Sequence, residues 1–170
     1  MFNPEKIIEV LNNYKVEYTV IGGMAASLHG CPEQTYDMDI LYNNTEDNKD
    51  RLLNALHEIN ARWDTPLNTM MLDSQYVFAL ITDYGYLDIF SYVVGIGYYN
   101  DAVKYKEISK YSDAEIEILN LEGWIKSKEA VIEEERSPRK LSAFEYMKDL
   151  YEFKKEKDIE KKFDEPELKL

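Results

Sequence analysis

Hydrophobic positions change their spacing several times along the chain, and each change marks an element. Ile7, Ile8, Leu11 and Tyr14 recur at helical spacing behind Asn3, Pro4 and Glu5. Those three supply a cap, a first-turn proline and a charge suited to the helix dipole. Val16, Tyr18, Val20 and Ile21 then predict a short strand within 15–21, stopped by Gly22-Gly23. Met24 to His29 reads as one or two helical turns ended by Gly30, and Cys31-Pro32 opens a loop. From Asp37 to Tyr42 acids and hydrophobes alternate as on a strand, which turns Met38 and Ile40 to the core. Thr45, ahead of Glu46 and Asp47, starts a helix whose buried stripe is Leu52, Leu53, Leu56 and Ile59.

Two β-rich runs follow, Gln75 to Ile81 and Tyr86 to Val94, joined at Asp83-Tyr84-Gly85 as in a hairpin. The stretch 101–118 reads as an irregular loop closing with a strand near Glu115 to Leu119. Asn120 is placed to cap a helix carrying Leu121, Trp124, Ile125 and Lys128. Ser142, three residues before Glu145, looks like the capping box of a final helix reaching about Phe163, with Phe144, Met147, Leu150 and Tyr151 as its apolar side. Beyond it the chain dissolves into charge. The order of elements predicts an α/β (α+β) chain: a small mixed β-sheet flanked by helices. Residues 1–128 form the core of this reading, and 129–170 a C-terminal helical extension packed on it.

Composition narrows the class. Of 170 residues, 45% are hydrophobic and 31% charged, an ordinary globular balance. The longest uncharged apolar stretches, 77–81 and 92–99, are too short to span a bilayer. Met1-Phe2-Asn3-Pro4-Glu5-Lys6 lacks the cationic and apolar regions of a secretory signal. Cys31 is the single cysteine, which excludes an intramolecular disulfide and a thiolate zinc site. A cytoplasmic location is expected.

Charge changes the picture further. The net charge is −13, and residues 1–128 carry 20 acids against 10 bases. Such a surface repels phosphate backbones and disfavours non-specific nucleic-acid binding. Acids gathered around a site can also be cation ligands.

Three features carry candidate chemistry. Gly22-Gly23 at a strand-to-helix junction lets the backbone approach a ligand and offers helix N–H groups to a phosphate, although the same pair also serves as a plain tight turn. Asp37 and Asp39 share one strand face, where a magnesium ion between them would relieve their repulsion; a solvated acidic strand end has the same pattern. Asp88 stands alone between Leu87 and Ile89, as a ligand would or as the outer face of an edge strand would.

Taken together, Gly22-Gly23, Asp37-x-Asp39 and one acid on a later strand resemble the nucleotidyltransferase superfamily that includes DNA polymerase β. The longer string from Val20 to Gly30, followed by Thr35 to Ile40, is similar to small bacterial nucleotidyltransferases of the abortive-infection and toxin–antitoxin type. Tyr84-Gly85-Tyr86-Leu87-Asp88-Ile89 resembles the third-carboxylate strand of lincosamide nucleotidyltransferases, and Leu121 to Lys128 the helix after the catalytic sheet. The resemblance spans roughly 18–150. It implies a polymerase β-like core with C-terminal helices, and transfer of an NMP from an NTP to the hydroxyl of an unknown acceptor: a small molecule, a protein side chain or a tRNA end. Asp37, Asp39 and Asp88 would be catalytic and hold two magnesium ions, while Gly22, Gly23, Ser27 and Lys128 would bind the nucleotide, ATP or another NTP. For Ser27 and Lys128 the residues alone also allow a helix serine bonding its own backbone and a solvated lysine. His29 reads as a helix-end residue facing helix carbonyls, Cys31 as a partly buried small side chain, and Tyr36 and Tyr42 as aromatic candidates for a base or acceptor pocket.

One residue departs from the pattern. Glu33 stands after Pro32, where the toxin-type relatives usually have an arginine. The alternative reading is therefore a catalytically weak or inactive nucleotidyltransferase fold acting as a toxin–antitoxin partner.

Overall fold

The computed structural model describes residues 1–164. Helix α1 (Pro4–Asn13) is capped by Asn3, whose side chain accepts from the Lys6 N–H, and it buries Ile7, Ile8 and Leu11. Strand β1 (Tyr18–Ile21) leads directly into α2 (Gly22–Leu28), so the helix begins on the glycine pair. Strand β2 (Asp37–Tyr42) and helix α3 (Glu46–Glu58), capped by Thr45, follow as the periodicity predicts. A short α4 (Thr69–Leu72) precedes the hairpin of β3 (Val77–Thr82) and β4 (Gly85–Phe90). Next comes a small ribbon of β5 (Tyr92–Val93) and β6 (Gly97–Tyr98). A 3₁₀ turn (Asp101–Tyr105) then enters a second hairpin, β7 (Lys106–Tyr111) and β8 (Ala114–Leu119). Helices α5 (Leu121–Glu129) and α6 (Pro138–Asp164) close the described chain.

Six strands form one mixed sheet in the order β3-β4-β2-β1-β8-β7. β2 runs parallel to β4 and antiparallel to β1, and β1 runs parallel to β8. On one sheet face Met38, Ile40, Phe78, Leu80, Leu87 and Ile89 are fully buried with α1 and α3. On the other face a smaller cluster, Ile21, Leu41, Val93, Ile96, Ala102 and Leu119, fills one end and leaves the β2–β4 surface beside it open. Helix α6 docks through Phe144 and Met147, both buried.

Three expectations are corrected here. The region expected to be a loop contains β7, whose Ile108 is exposed and whose hydrophobes are too sparse to announce a strand; pairing with β8 supplies its order. The final helix starts at Pro138, so Ser142 lies inside it and caps nothing; the N–H of Lys140 and of Leu141 are instead met by the Ser137 hydroxyl and carbonyl. Tyr42 points into the core at 1% exposure, because it shares the face of Met38 and Ile40, and it borders no open site. Of the charged tail expected after Phe163, residues 165–170 lie outside the described residues. No described helix is long and apolar enough to cross a membrane.

The β1–β2 pair is fastened by one fully buried amide. Asn48 accepts from the Glu17 N–H at 2.7 Å and donates to the Asn43 carbonyl at 2.7 Å and the Glu17 carbonyl at 3.0 Å. Those two residues stand just before β1 and just after β2, so α3 holds the strands in register. Asn48→Ala orphans the part-buried Glu17 N–H and the buried Asn43 carbonyl and is expected to cost about 2–3 kcal/mol, read as a lower urea midpoint at unchanged m. Thr45→Ala, which removes only a cap, is expected to cost about 1 kcal/mol.

Candidate active site

The site is built where β1 becomes α2. Ile21 pairs with Asp39 across the sheet, and the next residue, Gly22, takes φ +65°. A side chain is strained in that conformation, and a Cβ at Gly22 would collide with the Asp39 carboxylate. The turn is held from behind: the indole N–H of buried Trp124, on α5, donates to the Gly22 carbonyl at 2.9 Å. Asn120 positions that helix, its side chain accepting from the Gly123 N–H at 2.8 Å.

Strand alternation puts Asp37 and Asp39 on the open face, with Met38 buried between them on the other. Parallel pairing then sets Asp88 directly beside Asp39, since the register runs Asp37↔Tyr86, Asp39↔Asp88 and Leu41↔Phe90. One carboxylate oxygen from each of Asp37, Asp39 and Asp88 lies within 4.8 Å of the others. Thr35 donates its hydroxyl to Asp37 Oδ1 at 2.9 Å and so orients the first acid.

Burial and repulsion show in the protonation of the cluster. Asp39 is pushed up to about 7, first by burial, then by the charges of Asp37 and Asp88. Asp88 is also raised, by burial and by Asp37. The Lys128 ammonium, half-buried on α5, is lowered by desolvation while the Asp39 charge works in the opposite direction. An acid cluster and a half-buried cation thus face one another, each strained by partial loss of water.

They do so across a cleft of about 570 Å³. Its sheet wall is Asp37, Asp39, Tyr86, Asp88 and Phe90; Gly23 and Thr35 border one end; Trp124 and Lys128 come from α5, and Glu135, Arg139 and Lys140 from the start of α6 and the segment before it. The three acids, Gly23 and Lys128 therefore meet in one place, with Gly22 beneath Asp39. Ser27 lies apart from this lining and donates its hydroxyl back to the Gly23 carbonyl at 3.0 Å. The His29 ring lies 2.8 Å from the Leu119 carbonyl, on a strand rather than on helix carbonyls. Cys31 is buried at 7% exposure, and Tyr36 stands 63% exposed at the cleft margin.

Arg139 and Lys140 escaped the sequence reading as site residues. Their signal was a reversal of charge, acidic 133–135 followed by basic Arg136, Arg139 and Lys140, but nothing local says that this turn faces a cleft a hundred residues away. The donor set suits a hard divalent cation: three carboxylates converge, and the cleft leaves one side open for water or phosphate oxygens.

No protein-family model and no curated protein matches the chain. Solved structures do. A Thermotoga maritima protein ascribed to the nucleotidyltransferases is similar over 92% of this chain and 96% of its own, with 20% identity and a TM-score of 0.50. The lincosamide antibiotic adenylyltransferase LnuA, solved with lincomycin bound, aligns over 88% of this chain and 98% of its own at 15% identity and TM-score 0.56. ANT(2")-Ia, in complex with adenylyl-2"-tobramycin, aligns over 85% and 84% at 12% identity and TM-score 0.59. The mixed sheet with its flanking helices is thus the nucleotidyltransferase fold.

Proposed function

We propose that this protein is a magnesium-dependent nucleotidyltransferase that moves a nucleoside monophosphate from an NTP to a hydroxyl acceptor. The observation that carries the reading is the convergence of Asp37, Asp39 and Asp88 within 4.8 Å, facing Lys128 across one cleft. Three half-buried carboxylates crowded together are costly in a fold that gains nothing from them, and a cation-binding task is what offsets the cost. In the reaction the acceptor oxygen bonds to the α-phosphorus, the bond from that phosphorus to the α,β-bridging oxygen breaks, and pyrophosphate leaves with the electron pair. The hydroxyl proton passes to Asp88 or through it to solvent. Two magnesium ions held by Asp37, Asp39 and Asp88 would supply neutralisation of the triphosphate and acidification of that hydroxyl. Lys128 takes up charge that develops on the departing pyrophosphate, and the Gly22-Gly23 turn, whose second glycine lines the cleft, would offer backbone N–H groups to the triphosphate.

For the acceptor we favour a small hydroxyl compound. The chain is strongly acidic, and the cleft wall beside Asp88 is formed by Tyr86 and Phe90, with no base on it. Lincomycin and tobramycin in the similar structures are molecules of this size. The missing arginine after Pro32 is met in space by Arg139, whose guanidinium reaches Glu33 and the Gln34 carbonyl. This favours an enzyme over an inactive toxin–antitoxin partner, which would have no use for a lysine facing three acids. We place the enzyme in the cytoplasm.

Asp37→Asn and Asp39→Asn are each expected to lower transfer of label from α-³²P-NTP to acceptors in cell extract by about 100-fold or more, with the fold retained by circular dichroism. Unchanged transfer in both variants would refute the assignment. The pH dependence has a definite sign. Folded Asp39 holds its proton up to about 7 against 3.8 in the ordinary carboxylate, so the unfolded chain binds fewer protons between those values. Metal-free stability therefore falls as pH rises from about 4 to 7 and stays low above it. Magnesium must displace that proton, so its increase in Tm should grow from pH 5.5 to 8. Asp39→Asn should melt higher than the wild type in EDTA at pH 8 and lose most of the magnesium response. A magnesium shift independent of pH would contradict this account.

A further inference from the structure

The cleft holds more charge than the three acids and Lys128 require. Arg139 and Lys140, on the first turn of α6, line it, and each is engaged by a glutamate that lines it too. Arg139 Nε lies 2.6 Å from Glu33 Oε2, and its Nη2 donates to the Gln34 carbonyl, so the guanidinium fork spans the loop before β2. Lys140 Nζ lies 3.8 Å from Glu135 Oε2. The other oxygen of Glu135 accepts from the N–H of Arg136 at 3.0 Å and of Ser137 at 2.9 Å, which fixes the carboxylate while the lysine stays 72% exposed and free to swing.

These pairs are not what docks the helix. Phe144 and Met147 do that from the buried side of α6, and half-exposed ion pairs such as Glu33–Arg139 contribute little to stability. Nor do they neutralise the cleft. Lys128, Lys140 and Glu135 line the same cleft, and the Lys140 charge makes the half-buried Lys128 ammonium harder to keep while Glu135 favours it. Cations that gather against mutual repulsion, opposite a carboxylate triad, describe an anion subsite. A guanidinium fork grips phosphate oxygens in the same two-point geometry in which it grips a carboxylate.

We infer that Arg139 and Lys140 bind the triphosphate, and that Glu33 and Glu135 occupy them as exchangeable counter-charges until the nucleotide takes their place. This rests on the nucleotide reading above and deepens it. A polyphosphate carries several charges against one on each glutamate, so it wins the exchange; Glu33, 39% exposed, then turns to water. The glutamates lower affinity for nucleotide and keep the empty cleft from accepting single small anions.

The test is a mutant cycle read by calorimetry with α,β-methylene-ATP and magnesium, alongside tripolyphosphate. Glu33→Gln is expected to tighten binding about three- to fivefold, the value of an exposed ion pair released. Arg139→Gln should weaken it about tenfold, as for a lost charge-assisted bond, and Arg139→Lys should recover part of that loss. In the Arg139→Gln background Glu33→Gln should shift the affinity less than about twofold. Glu135→Gln and Lys140→Gln should behave in the same way with smaller amplitude. The inference is overturned if Glu33→Gln leaves the wild-type affinity unchanged, or if it tightens binding equally with and without Arg139, which is the signature of a general field. If neither wild type nor variants bind the analogue in magnesium, the nucleotide reading itself falls, a result distinct from tight binding without coupling.

Discussion

Mutual repulsion of three carboxylates is the constraint around which this structure is organised. Asp37, Asp39 and Asp88 are pinned by the pairing of β2 with β4, whose other face is packed solid with Met38, Ile40, Leu87 and Ile89. A slip of one residue would move the acids into the core and the hydrophobes into the cleft, so the apolar face protects the register of the acidic one. Gly22 leaves the volume that the Asp39 carboxylate fills, and Trp124 fixes the turn from below. Core packing thus supplies the free energy that holds the acids together, and the raised proton affinity of Asp39 and Asp88 records the strain.

Against this acidic wall the fold sets a basic one from a different part of the chain. Lys128 comes from α5, and Arg139 and Lys140 from α6. The acidic wall is part of the six-stranded sheet and the basic wall is carried on two helices, one of which is docked chiefly through Phe144 and Met147. Field lines between such walls concentrate in the cleft, where the proposed substrate, a polyphosphate carrying divalent cations, would find complementary charge on each side. The chain can therefore be strongly acidic overall and still receive a polyanion locally.

Much of this was legible in the order of residues. Asp37 to Tyr42 was read as a strand with its acids on one face, and it is one, because an alternation of two is unambiguous when the apolar positions are large. The caps at Asn3, Thr45 and Asn120 were read from single side chains and are present. Failures came where the deciding partner is remote. β7 has few hydrophobes and exists through its ladder with β8. Ser142 has the spacing of a capping box, yet Pro138 lets the helix begin earlier. Tyr42 lies near the acids in sequence but on the opposite face of the strand. Ser27 bonds its own helix backbone, one of the two roles its position in the sequence allows.

By itself the sequence determined most local conformations and faces: which residues share a strand side, which side chains cap the helices after Asn3, Thr45 and Asn120, and that a glycine turn precedes an acid pair. These depend on spacing and on side chains a few residues apart. Only the tertiary structure decided that Asp88 stands beside Asp39, that Trp124 locks Gly22 and that Arg139 meets Glu33. Strand order and helix docking arise from summed burial over the whole sheet, and no short window of sequence contains that sum.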